Sequence, residues 1–253
     1  RNSRGKPINN VLALQEGEKI NATVPIKAFA DDHYAFMATA NGTVKKTPLS
    51  EFARRRTAGI IALNLDEGDY LIGVGITNGQ HQIMLLSDAG KAVRFDEADV
   101  RPMGRTATGV RGMRLQDNQQ VIALLVAADE NCQVLTATEN GYGKRTPIEE
   151  YRHTARGSQG VIAIDTGERN GKLVAATLVQ EQDQVMLITT GGVLIRTKVE
   201  QIRETGRGAQ GVRLINLDEG EKLSGLEKVV ESEEDETPEG EGTAEGATPA
   251  TDE

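Results

Sequence analysis

The chain has no tryptophan, four tyrosines and four phenylalanines in 253 residues. Any core must therefore be built from Val, Ile, Leu and Ala, and eight aromatics can scarcely supply the aromatic surface of a protein-interaction module. No run of eighteen apolar residues occurs, which excludes a membrane-spanning helix, and no apolar stretch near the start resembles a signal peptide. The lone cysteine, Cys132, cannot form an internal disulfide, in keeping with a reducing compartment. His33, His81 and His153 lie apart with no paired cysteines and no HxxxH spacing, so a zinc site is not expected. GVG at 73–75 is too short for a dinucleotide fingerprint. The acids Asp96, Glu97 and Asp99 read as a solvated turn or a helix N-terminus rather than an acid/base pair.

The net charge of −9 conceals an asymmetry. Residues 231–253 hold ten acidic residues and no Lys or Arg, leaving 28 acids against 29 bases in residues 1–230. The acidity thus belongs to a Gly/Pro/Thr/Glu tail, expected to be disordered because it cannot bury enough apolar surface to fold. Such a tail could compete with phosphate for nearby bases.

What the chain does have is repetition. FMATANGTVKKTPLSEF (36–52), MLLSDAGKAVRFDEADV (84–100), LTATENGYGKRTPIEEY (135–151) and MLITTGGVLIRTKVEQI (186–202) align without gaps. Their central glycines are Gly42, Gly90, Gly141 and Gly192, and a second shared block follows each, around Gly59, Gly109, Gly160 and Gly211. The opening residues carry that second block again at Gly5, and the first residue is Arg1 rather than Met, so the chain reads as a fragment that starts inside a repeat. β-Branched approaches to Asn-Gly or Gly-Gly predict hairpins with type I′ turns. Further strands are expected before each hairpin (YLIGVGIT, VIALLVA, LVAATLV) and after each second glycine (GIIALNL, GVRGMRL, GVIAID, GVRLINL). About four strands per unit of about 50 residues is the pattern of radially arranged blades. The expectation is an all-β, propeller-like pinwheel domain over 1–230. It has four complete four-stranded blades, from repeats near 20–65, 69–115, 120–165 and 172–217, plus a partial N-terminal repeat and the tail at 231–253.

Two basic positions recur. Four residues after the turn glycine stand Lys46, Arg94, Arg145 and Arg196; four before the second glycine stand Arg55, Arg105, Arg156 and Arg207. Lys45, Lys91 and Lys144 lie beside them, with Arg54, Arg56, Arg101, Arg111, Arg114, Arg152, Lys198, Arg203 and Arg213 nearby. Solvation alone would not fix the sign in every copy. Two readings remain open: bases facing outward as a curved track for a regularly charged polymer such as duplex DNA, or arginines bonding loop carbonyls of their own blade. No base-reading element is visible, so a track would position DNA without reading sequence.

TANGTVKKT, LNLDEGDYLIGV, SDAGKAVRF, TGVRGMRL, TATENGYGKRT and RGAQGV resemble the C-terminal domain of the DNA gyrase A protein, over about residues 1–229. The resemblance implies a six-bladed β-pinwheel whose basic rim wraps duplex DNA, directing ATP-dependent negative supercoiling by a bacterial type IIA topoisomerase, an isomerase. It places Lys45, Lys46, Arg55, Lys91, Arg94, Arg105, Lys144, Arg145, Arg156, Arg196 and Arg207 on that rim. It implies a cytoplasmic, chromosome-associated protein joined to the gyrase B protein through the rest of gyrase A, with ATP and Mg used by that partner and no cofactor or membrane for this segment.

Two features depart from the pattern. The gyrase-box heptapeptide is absent, ARRRTAG at 53–59 being the nearest string, and only four hairpin units occur. No catalytic residue is expected; Tyr34, Tyr70, Tyr142 and Tyr151 read as packing residues. The related C-terminal domain of topoisomerase IV has fewer and less regular blades, and the regularity argues against it. A protein-interaction propeller is a third option, and a propeller enzyme would need converging acids or metal ligands that do not recur.

Overall fold

The computed structural model describes residues 7–230 apart from 11, 13, 55, 57 and 58. The acidic tail and the first partial repeat around Gly5 thus lie outside the described residues. Among the described residues there are fifteen strands, with a short 3-10 turn after each hairpin: β1 (Tyr34–Thr39), β2 (Thr43–Pro48), β3 (Leu71–Thr77), β4 (Gln82–Ser87), β5 (Lys91–Asp96), β6 (Val110–Arg111), β7 (Val121–Ala127), β8 (Gln133–Thr138), β9 (Tyr142–Pro147), β10 (Val161–Ile162), β11 (Leu173–Val179), β12 (Gln184–Thr189), β13 (Leu194–Lys198), β14 (Val212–Arg213) and β15 (Leu223–Lys228).

They form four antiparallel sheets, ordered β3-β1-β2-β6, β10-β5-β4-β7, β11-β8-β9-β14 and β13-β12-β15. Each blade is a hairpin completed by a strand from 20–30 residues downstream and, in the first three, by a two-residue strand from the following repeat. The sheets therefore cut across the expected repeat frame: β3 precedes the second hairpin in sequence but pairs with β1 of the first. The fourth sheet has three strands rather than four. Of the segments after each second glycine, only Val110–Arg111, Val161–Ile162 and Val212–Arg213 pair as strands, while GIIALNL carries none. Strands β3, β7, β11 and β15 pack against one another in succession, and this places them at the centre of the fan, with β2, β5, β9 and the short strands toward the perimeter.

The hydrophobic core lies between the sheets. One cluster joins Phe36, Ala38 and Val44 to Ile83, Leu85, Val93 and Phe95; a second joins Met84 and Leu86 to Val134, Ile148 and Tyr151; a third joins Leu135 and Ala137 to Val185, Leu187 and Val199. Full burial of each such aliphatic side chain contributes roughly 2 kcal/mol. Blade position is legible in the strand pattern. β4, covered on both faces, is buried at five successive residues, whereas β12 in the last sheet alternates buried and half-buried.

The hairpin turns differ from the type I′ expectation. Among the described residues only Asn118 is a non-glycine at positive φ, so Asn41 and Asn140 stay on the ordinary side of the map. Gly42 (φ 83°) donates its N–H to Thr39 O at 3.0 Å, and the equivalent bond closes the turns at Gly90, Gly141 and Gly192. This is a longer loop ending in a left-handed glycine, in which glycine alone carries the unusual backbone.

Candidate nucleic-acid interface

Lys45 and Lys46 are adjacent in a strand covered on both faces, so their side chains leave in opposite directions and both end buried, at 1% and 4% exposure. Lys46 Nζ bonds Glu97 O at 3.2 Å and pairs with the Glu97 carboxylate at 3.5 Å. Arg94 Nη1 bonds Ile148 O (2.8 Å) and Tyr151 O (3.0 Å), and Arg145 Nε bonds Ile202 O (2.5 Å). In all three blades the base four residues after the turn glycine reaches the 3-10 turn of the next blade and binds carbonyls there. Burial demands such partners. A neutral donor could satisfy the carbonyls alone, but each of these bases also pairs with a carboxylate, Lys46 with Glu97, Arg94 with Glu130 and Arg145 with Glu181, and that pairing accounts for the shared sign.

The outward reading is thereby corrected for Lys45, Lys46, Arg94, Lys144 and Arg145, all buried. Lys45 Nζ bonds Ala62 O (2.7 Å) and Arg105 O; Lys144 Nζ bonds Gly206 O (3.1 Å), Ala209 O (2.8 Å) and Arg207 O. Desolvation, with Arg105 and Arg207 nearby, pulls both ammonium pKa values down to about 8. Glu97 is likewise no solvated turn acid: fully buried, it accepts from Thr77 Oγ1 (2.5 Å), Gly79 N (3.0 Å) and His81 N (3.2 Å).

The arginines before the second glycine divide the two readings differently. Arg105 Nη1 donates to Ile61 O (2.8 Å), Arg156 Nη1 to Arg111 O (2.6 Å) and Arg207 Nη1 to Ile162 O (2.8 Å). Each acceptor lies two residues beyond the second glycine of the preceding repeat. These arginines tie each perimeter loop to the segment of the preceding repeat, Arg111 and Ile162 lying on β6 and β10, rather than bonding carbonyls of their own loop. Arg55 lies outside the described residues. Lys91 is half-exposed at the start of β5, and Arg196 is exposed on β13, bonded to Gln184 Oε1 at 2.5 Å.

A different set of bases faces solvent at a repeated position. Val100, Tyr151 and Ile202 are buried just after their 3-10 turns, and the next residues, Arg101, Arg152 and Arg203, are exposed, 51 residues apart. Two residues on, Met103, Thr154 and Thr205 donate their N–H to the carbonyls of Lys46, Arg94 and Arg145. The loop is thus pinned in the same register along the outer edge of β2, β5 and β9. No hydrogen bond or ion pair to a described residue engages these three guanidiniums. Arg111 and Arg213, exposed on the short strands β6 and β14, lie on the same perimeter, and Arg54, Arg56 and Arg114 are also exposed. Repetition alone had not distinguished Arg101, Arg152 and Arg203; the signal is the buried apolar residue directly before each.

Two tyrosines depart from the packing role. Tyr151 is fully buried, its phenol pushed up to about 12 by burial, whereas Tyr70 is 45% exposed and bonded to Gln120. Tyr142 is half-buried between two arginines, of which Arg169 was not singled out in the sequence.

The family model "DNA gyrase C-terminal domain, beta-propeller" matches residues 33–78, 81–128, 133–180 and 183–229, one match per sheet. The DNA gyrase A protein of Neisseria gonorrhoeae is 52% identical over 92% of this chain, and that of Escherichia coli K12 is 49% identical over 93%. The chain spans 30% and 27% of their lengths. Among solved structures, the C-terminal domain of DNA topoisomerase IV superposes with a TM-score of 0.83 at 26% identity, covering 89% of this chain and 70% of that one. The DNA gyrase A C-terminal domain gives 0.80 at 28% identity, covering 90% and 76%. Backbone shape does not separate these two domains; the sequence matches to gyrase A do, and the chain belongs to the family of DNA gyrase C-terminal β-propeller domains.

Proposed function

We propose that this chain is the DNA-wrapping segment of a bacterial DNA gyrase A protein, binding duplex DNA along the outer edge of its sheets without reading sequence. The observation that carries the reading is the trio Arg101, Arg152 and Arg203, exposed, without a partner among the described residues, and in one register on three successive blades. Equal spacing of fixed positive charge suits a phosphate backbone, and the fan of sheets gives the track its curvature. The buried bases hold successive blades in register and so maintain that curvature, without touching DNA themselves. The perimeter ties Arg105, Arg156 and Arg207 and the half-exposed Lys91 add positive charge along the same edge.

In the whole enzyme the wrap would direct strand passage toward negative supercoils, with ATP and Mg consumed by the gyrase B protein, which this segment would reach through the rest of gyrase A. No side chain here is assigned a step in that chemistry. Such an enzyme would work in the bacterial cytoplasm, on the chromosome; among the described residues no helix is long and apolar enough to cross a membrane.

The test is a salt titration of binding to a duplex of about 40 base pairs, where each neutralised phosphate contributes about 0.9 to the log-log slope. The triple variant R101Q/R152Q/R203Q is expected to lower the slope by roughly 3. A slope unaltered in that variant, or a flat response in the parent chain, overturns the reading.

A further inference from the structure

Among the described residues, blade 3 carries a perimeter cluster that its sister blades lack. Arg213 on β14 faces Tyr142 on β9 in the ladder. It donates Nη2–H to the Tyr142 hydroxyl at 2.7 Å and Nη1–H to Asn216 Oδ1 at 3.1 Å. Its guanidinium carbon lies 5.3 Å from the ring centre, and that of Arg169 lies 4.3 Å from it. Arg169 reaches the ring from a separate loop, donating to Gln210 Oε1 (3.1 Å) and Gly211 O (3.3 Å).

That loop is fixed. Asn170, 1% exposed, bonds Asp165 O (2.7 Å) and Gln210 O (3.0 Å), while Asn140 Nδ2 bonds Glu168 O and Arg169 O. Two cations thus share one ring with no carboxylate partner among the described residues. The nearby acid Asp165 is occupied by Gly167 N and Gln210 Nε2. Each guanidinium has five donors and spends two, so each keeps donors for an anion. Blade 1 shows the bare version, where Arg111 faces Thr43 with no ring, and in blade 2 the pair is Ile162 and Lys91.

We propose that Tyr142, Arg169 and Arg213 form a prebuilt clamp for a backbone phosphate of the duplex, making blade 3 the anchor of the wrap rather than one equal contact among four. The ring keeps both guanidiniums from diverging, and a phosphodiester supplies the negative charge their pairing lacks. This rests on the DNA-binding reading above.

The test measures fluorescence anisotropy of a labelled duplex against salt, with urea midpoints confirming that each variant is folded. R169Q/R213Q is expected to lower the log-log slope by roughly 2 and R111Q by roughly 1. Tyr142→Thr, which installs the blade 1 residue and leaves the charge unchanged, is expected to weaken binding about threefold. If the parent chain does not bind, the DNA-binding reading fails. If it binds but R169Q/R213Q behaves like R111Q, or Tyr142→Thr binds like the parent, the clamp is wrong while the wider reading stands.

Discussion

Arg156 donates its Nη1–H to the carbonyl oxygen of Arg111 at 2.6 Å, joining a perimeter loop to strand β6, 45 residues away in sequence. Arg105 and Arg207 repeat the bond one blade earlier and one blade later. The perimeter is therefore stitched as well as charged, and the two roles separate by mutation. Arg156→Leu is expected to lower unfolding stability by about 1 kcal/mol, since a charge-assisted bond to the carbonyl of an edge-strand residue near solvent is lost. Arg152→Gln should stay within about 0.5 kcal/mol while reducing the salt slope for DNA. Urea denaturation of both decides the point; equal stabilities would remove the structural role from Arg156.

The turn glycines report on blade contact. A Cβ on Gly90 would stand 2.3 Å from Ile164 O, a backbone atom of the next repeat, whereas one on Gly192 would meet nothing within 4 Å. Both glycines have positive φ, 71° and 83°, so alanine costs about 1–2 kcal/mol in either from backbone strain alone. Gly192→Ala should lose that much and no more. Gly90→Ala should lose at least about 2 kcal/mol further, as overpacking against backbone forces the blades apart. Thermal unfolding of the pair measures the difference.

How much of this was readable beforehand depends on which residues one asks about. The hairpins were visible because strand alternation and turn glycines are local, and the blade count followed from the repeat. Strand exchange was not, since nothing within LIGVGIT says that it pairs with the hairpin behind it rather than the one ahead. The fate of Lys46 and Arg94 was hidden for a related reason. A base in a strand reads as surface unless the next sheet is known to cover it, and their carbonyl partners lie 51 to 57 residues downstream. Recurrence of sign had two candidate causes, and at Lys46, Arg94 and Arg145 burial selects neither as first framed: the partners are carbonyls of the next blade, not of their own, while Arg196 stays exposed. Arg101, Arg152 and Arg203 could have been found from the apolar residue preceding each.

Spectrophotometric titration of the tyrosines is expected to resolve two unusual phenols. Arg213 and Arg169 favour the ionised form of Tyr142 and hold its pKa below the ordinary tyrosine range. Burial holds Tyr151 at about 12. One phenol should therefore ionise early and one late, and R213Q should move the early one back toward the usual value while leaving the late one in place. An R213Q curve that overlays the parent would deny the contact between Arg213 and Tyr142.

Lys45 and Lys144 occupy a position that is Val93 and Ile195 in the alternate blades, so a hydrocarbon fits that place in the fold and the ammonium is an added cost. With folded pKa values near 8 against an ordinary 10.5, the unfolded chain binds more protons between pH 8 and 10.5. Stability contributed by these two sites must therefore rise with pH across that window and be flat below it. The change is at most about 1.4 kcal/mol per pH unit per lysine. Other titrating groups cancel when the parent is compared with Lys144→Val, the residue of blade 2. The difference in unfolding free energy should shift in favour of the parent as pH goes from 8 to 10. A constant difference would mean that the carbonyls of Gly206, Arg207 and Ala209 hold the proton as firmly as water does, and that desolvation is fully compensated at this site.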